Sequence, residues 1–259
     1  MITFYTLGEM GRLGNQLFQY AALKGLGLKN GFQVKIPNPK TRNWHGQTCL
    51  LDQFNIESEY ITEEDTKTLQ QSYLEPDSKK YDSEFFDIPD NTSIAGFFQS
   101  TFYFEEFEDQ IKKELTPKSK YLIPAIQKIN DLKLLHNCEI VSVHVRRGDN
   151  MTNGQTGLIK AFDKGGLYET YFNKAKDKFK NKTVKFLVFS GGQRFNEDNK
   201  KDIEWCKEFF KGDEFIFSEG LSQMEDFSLI MNCDHNILSH ASSFGWWAAY
   251  NNPNPNKIV

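Results

Sequence analysis

The second half of the chain alternates between short apolar runs and longer amphipathic ones. "EIVSVHV" (139–145) is short and valine-rich and predicts a strand. In "LYETYFNKAKDKFK", residues Leu167, Tyr171, Phe172, Ala175 and Phe179 share one side at helical spacing. "VKFLVF" (184–189) is an almost unbroken apolar run, as expected of a parallel strand covered on both faces. "DNKKDIEWCKEFF", opened by a capping Asp198 or Asn199, predicts a helix, and "EFIF" a strand. "SQMEDFSLIMNC" predicts a helix capped by Ser222, "HNIL" a strand, and "SFGWWAAY" a further helix. Alternation of this kind implies a parallel, doubly wound sheet.

The first half opens in the same way. "ITFYTL" predicts a strand, "GEMGRLG" a glycine-rich loop, "NQLFQYAALKGLGLKN" a helix and "FQVKI" the next strand. The middle is less regular. "IPNPKTRNWHG" is a turn-rich loop, and residues 60–95 are polar with weak helical signals. "SIAGFFQS" predicts another strand and "YFEEFEDQIKKEL" a helix with an acidic start. The economical picture is two strand–helix halves joined near residues 120–138, with domains at 1–130 and 131–259.

Composition narrows the function classes. A length of 259 residues with 39% hydrophobic content suffices for one large or two small domains. A net charge of −4 disfavours a general nucleic-acid binder, so any anion site must be local. No apolar run approaches the ~18 residues of a membrane span. The start "MITFYTLGEMGRLGNQ" lacks a signal sequence, which disfavours secretion. Cys49, Cys138, Cys206 and Cys233 are widely spaced, with no CxxC pair and no zinc spacing among the histidines. They read as reduced and structural, and the expected compartment is cytoplasmic.

Three runs carry candidate chemistry. In the first, Gly8, Gly11 and Gly14 lie between a strand and a helix, where close backbone approach and unpaired N–H groups favour a phosphate. The pattern is neither the dinucleotide fingerprint nor a Walker loop, so a tight turn with solvated Arg12 and Asn15 reads equally well. In the second, "VHVRRGD" ends a strand with His144, Arg146, Arg147, Gly148 and Asp149, where ligands sit in this fold. Alternation puts His144 and Arg146 on one face and Arg147 on the other. One guanidinium is then placed to fork onto an anion, while the other pairs with Asp149 or another acid. The competing reading is a surface salt-bridge turn. In the third, "ILSHASSFGWWAAYN", Ser242 and Ser243 stand where helix caps stand and make a second cradle. Ordinary capping with core tryptophans explains that run as well. Adjacent Trp246 and Trp247 cannot share a helical face, so one is expected on the sheet and the other in a cleft.

Taken together, "GRLGNQLFQYA", "VHVRRGD" and "ASSFGWWAAY" resemble the alpha-1,2-fucosyltransferases of glycosyltransferase family 11. "GFFQSTFYFEE" resembles that family's middle block, and only residues 37–93 look individual. The resemblance implies a GT-B fold, with two Rossmann-like domains facing across a cleft. The first would be the acceptor side, and the second would hold GDP-fucose as donor substrate. The activity implied is inverting transfer of L-fucose to a galactoside-type glycan in alpha-1,2 linkage, with no cofactor and no obligatory metal. Carried over by position, His144, Arg146 and Arg147 would contact the donor, Arg146 most directly at the diphosphate. Ser242, Ser243 and Phe244 would form the second phosphate wall. Gly14 and Asn15 would reach the pyrophosphate or the acceptor.

The residue chemistry agrees, because arginines and helix N–H groups stabilise a departing diphosphate without a DxD-like cluster. Asp149 is the candidate base, although pairing with an arginine explains it nearly as well. Trp44 and His45 are weak candidates for acceptor contacts. Expected partners are GDP-fucose and an oligosaccharide, with no nucleic acid and at most peripheral membrane contact. This chain departs from the family in three places. Gly191-Gly192-Gln193-Arg194 stands where relatives carry an acid that reads guanine, so Asp198 or a backbone carbonyl is the expected substitute. Gly245 replaces a common serine, and "NPNPNKIV" stands where relatives continue with a proline- and tryptophan-containing segment. Two other readings follow: a transferase using another nucleotide sugar, or a non-catalytic protein binding a GDP-sugar or glycan.

Overall fold

The computed structural model describes residues 1–147, 167–191, 196–240 and 242–259, the side chains of 167 and 196–199 excepted. Its internal contacts divide the chain into two units, Met1–Lys118 and Ser119–Val259. Each is built on its own parallel sheet.

The first unit runs β1 (Ile2–Thr3), α1 (Leu13–Asn30), β2 (Val34–Ile36), β3 (Asn43–Trp44), β4 (Gln47–Thr48), β5 (Glu59–Tyr60), α2 (Glu63–Thr68), β6 (Gln71–Leu74), β7 (Thr92–Ala95) and α3 (Glu108–Glu114). Five strands lie in the order β5–β2–β1–β7–β6, every neighbour parallel, with Ile2 opposite Val34 and Thr3 opposite Ser93. β1 is shorter than its apolar run predicts. After Thr3 the chain leaves the ladder and turns, with Leu7 N–H donating to the Phe4 carbonyl at 3.0 Å and Glu9 N–H to Thr6 at 2.9 Å. The polar stretch 60–95 holds three strands and α2, which Thr62 and Asp65 close with a capping box. In the predicted "SIAGFFQS" strand the ladder stops at Ala95. In "YFEEFEDQIKKEL" only the second half is α-helical, after two 3₁₀ turns at Thr101–Tyr103 and Glu105–Phe107. Phe4, Phe85, Phe98 and Tyr103 are essentially fully buried and form the aromatic core of this unit.

The second unit runs α4 (Ser119–His136), β8 (Glu139–Val145), α5 (Leu167–Asp177), β9 (Val184–Ser190), α6 (Asn196–Phe209), β10 (Phe215–Phe217), α7 (Gln223–Asn232), β11 (His235–Ile237) and α8 (Ser243–Tyr250). Its parallel sheet has the order β10–β9–β8–β11. Strand order therefore reverses at β8, with β9 and β10 on one side and β11 on the other. Val141, Val143 and Val145 pack with Phe172, Phe179, Phe186 and Phe210 in one core cluster. Each fully buried side chain of this size stabilises the fold by about 1.5–3 kcal/mol. α4 packs on α7 and β8, so the segment read from sequence as a junction belongs to the second unit from Ser119 onward. On the far side of the sheet, Asn236 Nδ2 donates to Ser142 Oγ at 2.7 Å, and Asn252 Nδ2 donates to Asn236 Oδ1 at 2.8 Å. The residues after α8 return along β11, with Asn236 N–H donating to the Ile258 carbonyl at 3.0 Å.

Candidate functional site at two strand ends

β8 sorts its side chains by alternation. Val141, Val143 and Val145 face the α5–α6 core, while Ser142 and His144 face α7 and α8. Arg147 continues the first set. Its guanidinium lies 3.9 Å from the centroid of the Trp205 ring, and its Nε is 3.4 Å from Asp202 Oδ1. Both partners belong to α6, and the two charged side chains are only 14% and 8% exposed. A desolvated pair stacked on an indole anchors the end of β8 to α6. The acid that holds an arginine here is thus Asp202, 55 positions along the chain.

Arg146 follows the second set. It is half-buried, its N–H donates to Ser239 Oγ at 3.1 Å, and its Nη1 lies 3.4 Å from the Gly191 carbonyl. Ser239 follows β11 and Gly191 follows β9, so Arg146 stands where three strand ends converge. That is the point of strand-order reversal, where ligands enter doubly wound sheets. Ser242 is the N-cap of α8; it is buried and its side chain makes no capping hydrogen bond. The first N–H groups of a helix, with the positive end of its dipole, suit an anion. Ser243 and half-buried Phe244 begin the helix. The tryptophans separate as adjacency requires. Trp247 is fully buried, and Trp246 is half-buried and stacked on Tyr250 at 4.7 Å.

His144 is 7% exposed, with its ring centroid 5.6 Å from that of Phe244. Burial, and secondarily the Arg146 charge, push its pKa down to about 3. It is therefore a neutral imidazole at physiological pH and supplies no positive charge to a phosphate. Its Nδ1 has no hydrogen-bond partner among the described residues and faces Gly245. A Cβ at 245 would stand 2.6 Å from that nitrogen, so glycine is what lets α8 close on the histidine.

Asp226 is a half-buried acid that the sequence does not single out. It follows Glu225, whose side chain closes a capping box with Ser222 at the start of α7. Ser218 Oγ, just past β10, donates to Asp226 Oδ1 at 2.7 Å. Desolvation raises the carboxyl pKa to about 7; Glu225 adds to the rise, while the Ser218 hydrogen bond and Lys128 oppose it. The next residue, Phe227, packs on Phe244 of α8 with centroids 5.5 Å apart. The sequence signal of Asp226 was an acid one place beyond a capping-box glutamate, which reads as ordinary helix-start chemistry. The sequence points instead to 191–194 and Asp198 for the group that reads guanine. Of these, residues 192–194 and the Asp198 side chain lie outside the described residues, as do Gly148 and Asp149.

In the first unit, Gly8 and Gly11 adopt φ values of 88° and 86°, which only glycine takes without strain. The space beside Gly11 is filled by the Asn15 amide. Gly14 is buried in the first turn of α1, and half-buried Asn15 accepts a hydrogen bond from Gln99 Nε2 at 2.8 Å. Two further glutamines fasten the loop. Gln16 Nε2 donates to the Gly11 carbonyl at 3.1 Å, and Gln19 Nε2 donates to Met10 and Gly96 carbonyls, both at 3.0 Å. Their sequence signal was polarity at buried helix positions. Half-buried Trp44 and exposed His45 sit on the β3–β4 hairpin with ring centroids 4.3 Å apart.

The family profile of glycosyl transferase family 11 matches residues 1–256. An alpha-1,2-colitosyltransferase of Escherichia coli is 28% identical over 93% of this chain and 84% of its own length. The galactoside alpha-(1,2)-fucosyltransferase 1 of Homo sapiens is 28% identical over 95% of this chain. The chain spans 65% of the length of that human relative. Among solved structures, the fucosyltransferase NodZ from Bradyrhizobium superposes with a TM-score of 0.53 at 15% identity, covering 96% of this chain and 92% of the other. Another NodZ structure, of an alpha-1,6-fucosyltransferase soaked with GDP-fucose, gives 0.54 at 15% identity over 97% and 92% of the two chains. The fold is GT-B, with two Rossmann-like doubly wound units.

Proposed function

The chain belongs to glycosyl transferase family 11, and on that premise we propose that it moves L-fucose from GDP-fucose to a hydroxyl of a galactoside-type glycan, forming an alpha-1,2 linkage with inversion and no metal requirement. The acceptor oxygen attacks the anomeric carbon from the face opposite GDP. The bond from that carbon to the β-phosphate oxygen breaks, and its electron pair leaves with GDP. The hydroxyl proton passes to a base, for which Asp149 is the proposal.

The observation that carries this reading is the meeting of Arg146, Ser239 and the α8 N-terminus at the strand-order reversal of the second unit. In that reading Arg146 forks onto the diphosphate, and the α8 N–H groups with Ser242 and Ser243 receive the other phosphate oxygens. Charge that grows on the leaving group meets donors already in place. The base is read by Asp226, whose carboxylate accepts from the paired N1–H and N2–H donors of guanine. Adenine and uracil do not present that pair in the same arrangement. Neutral His144 lies on the same side as an uncharged hydrogen-bonding group, and Phe244 supplies an apolar wall. Arg147 supports the loop through Asp202. In the first unit Gly14 and Asn15 serve the pyrophosphate or the acceptor, and Trp44 and His45 are proposed acceptor contacts.

The colitosyltransferase relative favours a second reading, transfer of a colitosyl group from the corresponding nucleotide sugar. One experiment separates these readings and the binding-only alternative. Calorimetry with GDP, UDP and ADP is followed by incubation with GDP-fucose and lactose, and the product linkage is read by NMR. Preferential GDP binding with an alpha-1,2-fucosylated product is expected. GDP binding without transfer of fucose, but with transfer from a GDP-colitose donor, supports the second reading. Equal affinity for UDP and GDP removes the guanine assignment.

A further inference from the structure

The loop after β1 and the start of the β3–β4 hairpin are pressed together at one point. A Cβ added at Gly8 would stand 2.8 Å from the Cβ atoms of both Arg42 and Cys49. Cys49 N–H donates to the Arg42 carbonyl at 3.0 Å, which closes the base of the hairpin. Glycine at position 8 is therefore what lets that base sit against the loop. The contact lays the Arg42 side chain along the loop. Its guanidinium lies over the Tyr5 ring, 5.2 Å from the centroid, and its Nη1 is 2.5 Å from Glu9 Oε1. Tyr5 follows the end of β1, and Arg42 follows β2 after one short turn. The three side chains thus gather beyond the carboxyl ends of two adjacent parallel strands, where ligands enter this fold.

Packing does not account for this group. The Arg42 side chain is only 17% exposed, and its Nε–H is buried with no hydrogen-bond partner among the described residues, an arrangement that costs free energy. Among those residues the Arg42 side chain donates only to Glu9, the Glu9 carboxylate accepts only from Arg42, and the Tyr5 hydroxyl makes no hydrogen bond. Tyr5 is 47% exposed, although Phe4 before it is fully buried. An exposed aromatic ring beside a guanidinium and a carboxylate with capacity left over is chemistry that holds a sugar. The ring takes a C–H face, and the charged pair takes neighbouring hydroxyls as donor and acceptor. Resting on the transfer reading above, we propose that Tyr5, Glu9 and Arg42 form the subsite for the terminal galactose of the acceptor. The axial 4-hydroxyl of galactose leaves the C–H bonds of C3, C4 and C5 together on the opposite face, for Tyr5. Its 3- and 4-hydroxyls are cis, so one accepts from Arg42 while the other donates to Glu9. The 2-hydroxyl stays clear for transfer. Glucose, with an equatorial 4-hydroxyl, offers neither feature.

The test uses the full chain as wild type, Tyr5→Ala and Arg42→Met; methionine keeps the packing of the stem and removes the charge. Saturation-transfer NMR is recorded with lactose and with cellobiose, whose terminal sugar is glucose, each with and without GDP. The wild type should transfer saturation to lactose, most strongly at H3, H4 and H5 of the galactose ring, and not to cellobiose. Both variants should keep the wild-type melting temperature and GDP affinity while the lactose signal is lost. With GDP-fucose as donor, KM for lactose should rise about tenfold or more, the scale of losing an aromatic anchor or a hydrogen bond to a charged group, with kcat little altered. Should Arg42→Met fail to fold, the exposed Tyr5→Ala decides the matter by itself. The proposal is overturned if lactose gives no signal with the wild type in either condition, if cellobiose binds equally, or if Tyr5→Ala leaves the lactose signal and KM unchanged. Lactose binding that depends on Tyr5 without any transfer of fucose would instead count against the proposed function and leave the subsite standing.

Discussion

In the proposed mechanism Arg146 meets the diphosphate and Asp226 the guanine. Arg146→Lys keeps the positive charge but loses the planar fork, so transfer should fall on the order of 10²-fold in a protein of unchanged melting temperature. Near-wild-type turnover in that variant would place the phosphate contact elsewhere. Asp226 carries a stability cost when ionised. Its folded pKa of about 7 lies above the ordinary 3.8, so the folded chain holds a proton that the unfolded chain releases. The stability this contributes is complete below the ordinary value and is lost as pH rises through about 7. Asp226→Asn escapes that loss. Its stability relative to wild type should therefore rise between pH 5 and pH 8, by an amount on the order of a few kcal/mol, measured by urea unfolding. The same variant should lose its preference for GDP over ADP. In the wild type, GDP should bind more tightly as pH rises through about 7, because the ionised carboxyl accepts the guanine N–H groups. A variant no more stable than wild type at pH 8 would show the carboxyl to be ionised at little cost. His144 runs in the other direction. Its pKa is depressed to about 3, so its contribution is complete above 6.5 and is lost as pH falls towards 3.

At the scale of elements, β8 and α8 build the site through their packing. One strand presents Arg146 to the convergence of strand ends and Arg147 to α6, because successive residues point to opposite faces. α8 approaches β8 closely enough that residue 245 has no room for a side chain. Gly245→Ala should gain about 1 kcal/mol of helix propensity, but its Cβ would meet the rigid His144 ring at 2.6 Å. Overpacking of that kind costs typically 1–3 kcal/mol, so a net loss of stability and weaker GDP binding are expected from thermal unfolding and calorimetry. A more stable Gly245→Ala protein would show that α8 can move away freely. α1 is fastened at its start by Gln16 and Gln19, which hold the loop carbonyls. The loop is therefore fixed before any ligand arrives, and less ordering is left for binding to supply.

At the scale of the molecule, each unit repeats one device, a helix start at the switch point of a parallel sheet. The diphosphate charge is met in the proposed mechanism by Arg146 and helix N–H groups. Transfer activity should accordingly survive EDTA, measured against the rate with added Mg²⁺ or Mn²⁺. Loss on chelation that either ion restores would assign the neutralising charge to a metal. No helix among the described residues is long and apolar enough to cross a membrane.

The strand–helix alternation, the parallel character of both sheets and the three motif runs were legible in the sequence, because each rests on local periodicity and turn chemistry. The opposite faces taken by Arg146 and Arg147 were legible for the same reason, since the two-residue repeat of a strand needs no tertiary information. What pairs with what was not. The insertion of β7 between β1 and β6 depends on pairing between segments far apart in the chain. α4 was hidden by Pro124, which reads as a helix breaker although the helix carries it. The choice of Asp202 for Arg147, the packing of Phe227 on Phe244, and the hydrogen bond of Gln99 to Asn15 join positions between 17 and 84 residues apart. Charge, size and period are properties of a residue and its near neighbours, and the sequence displays them. Partnership and desolvation are properties of a place, and only the folded chain creates the place.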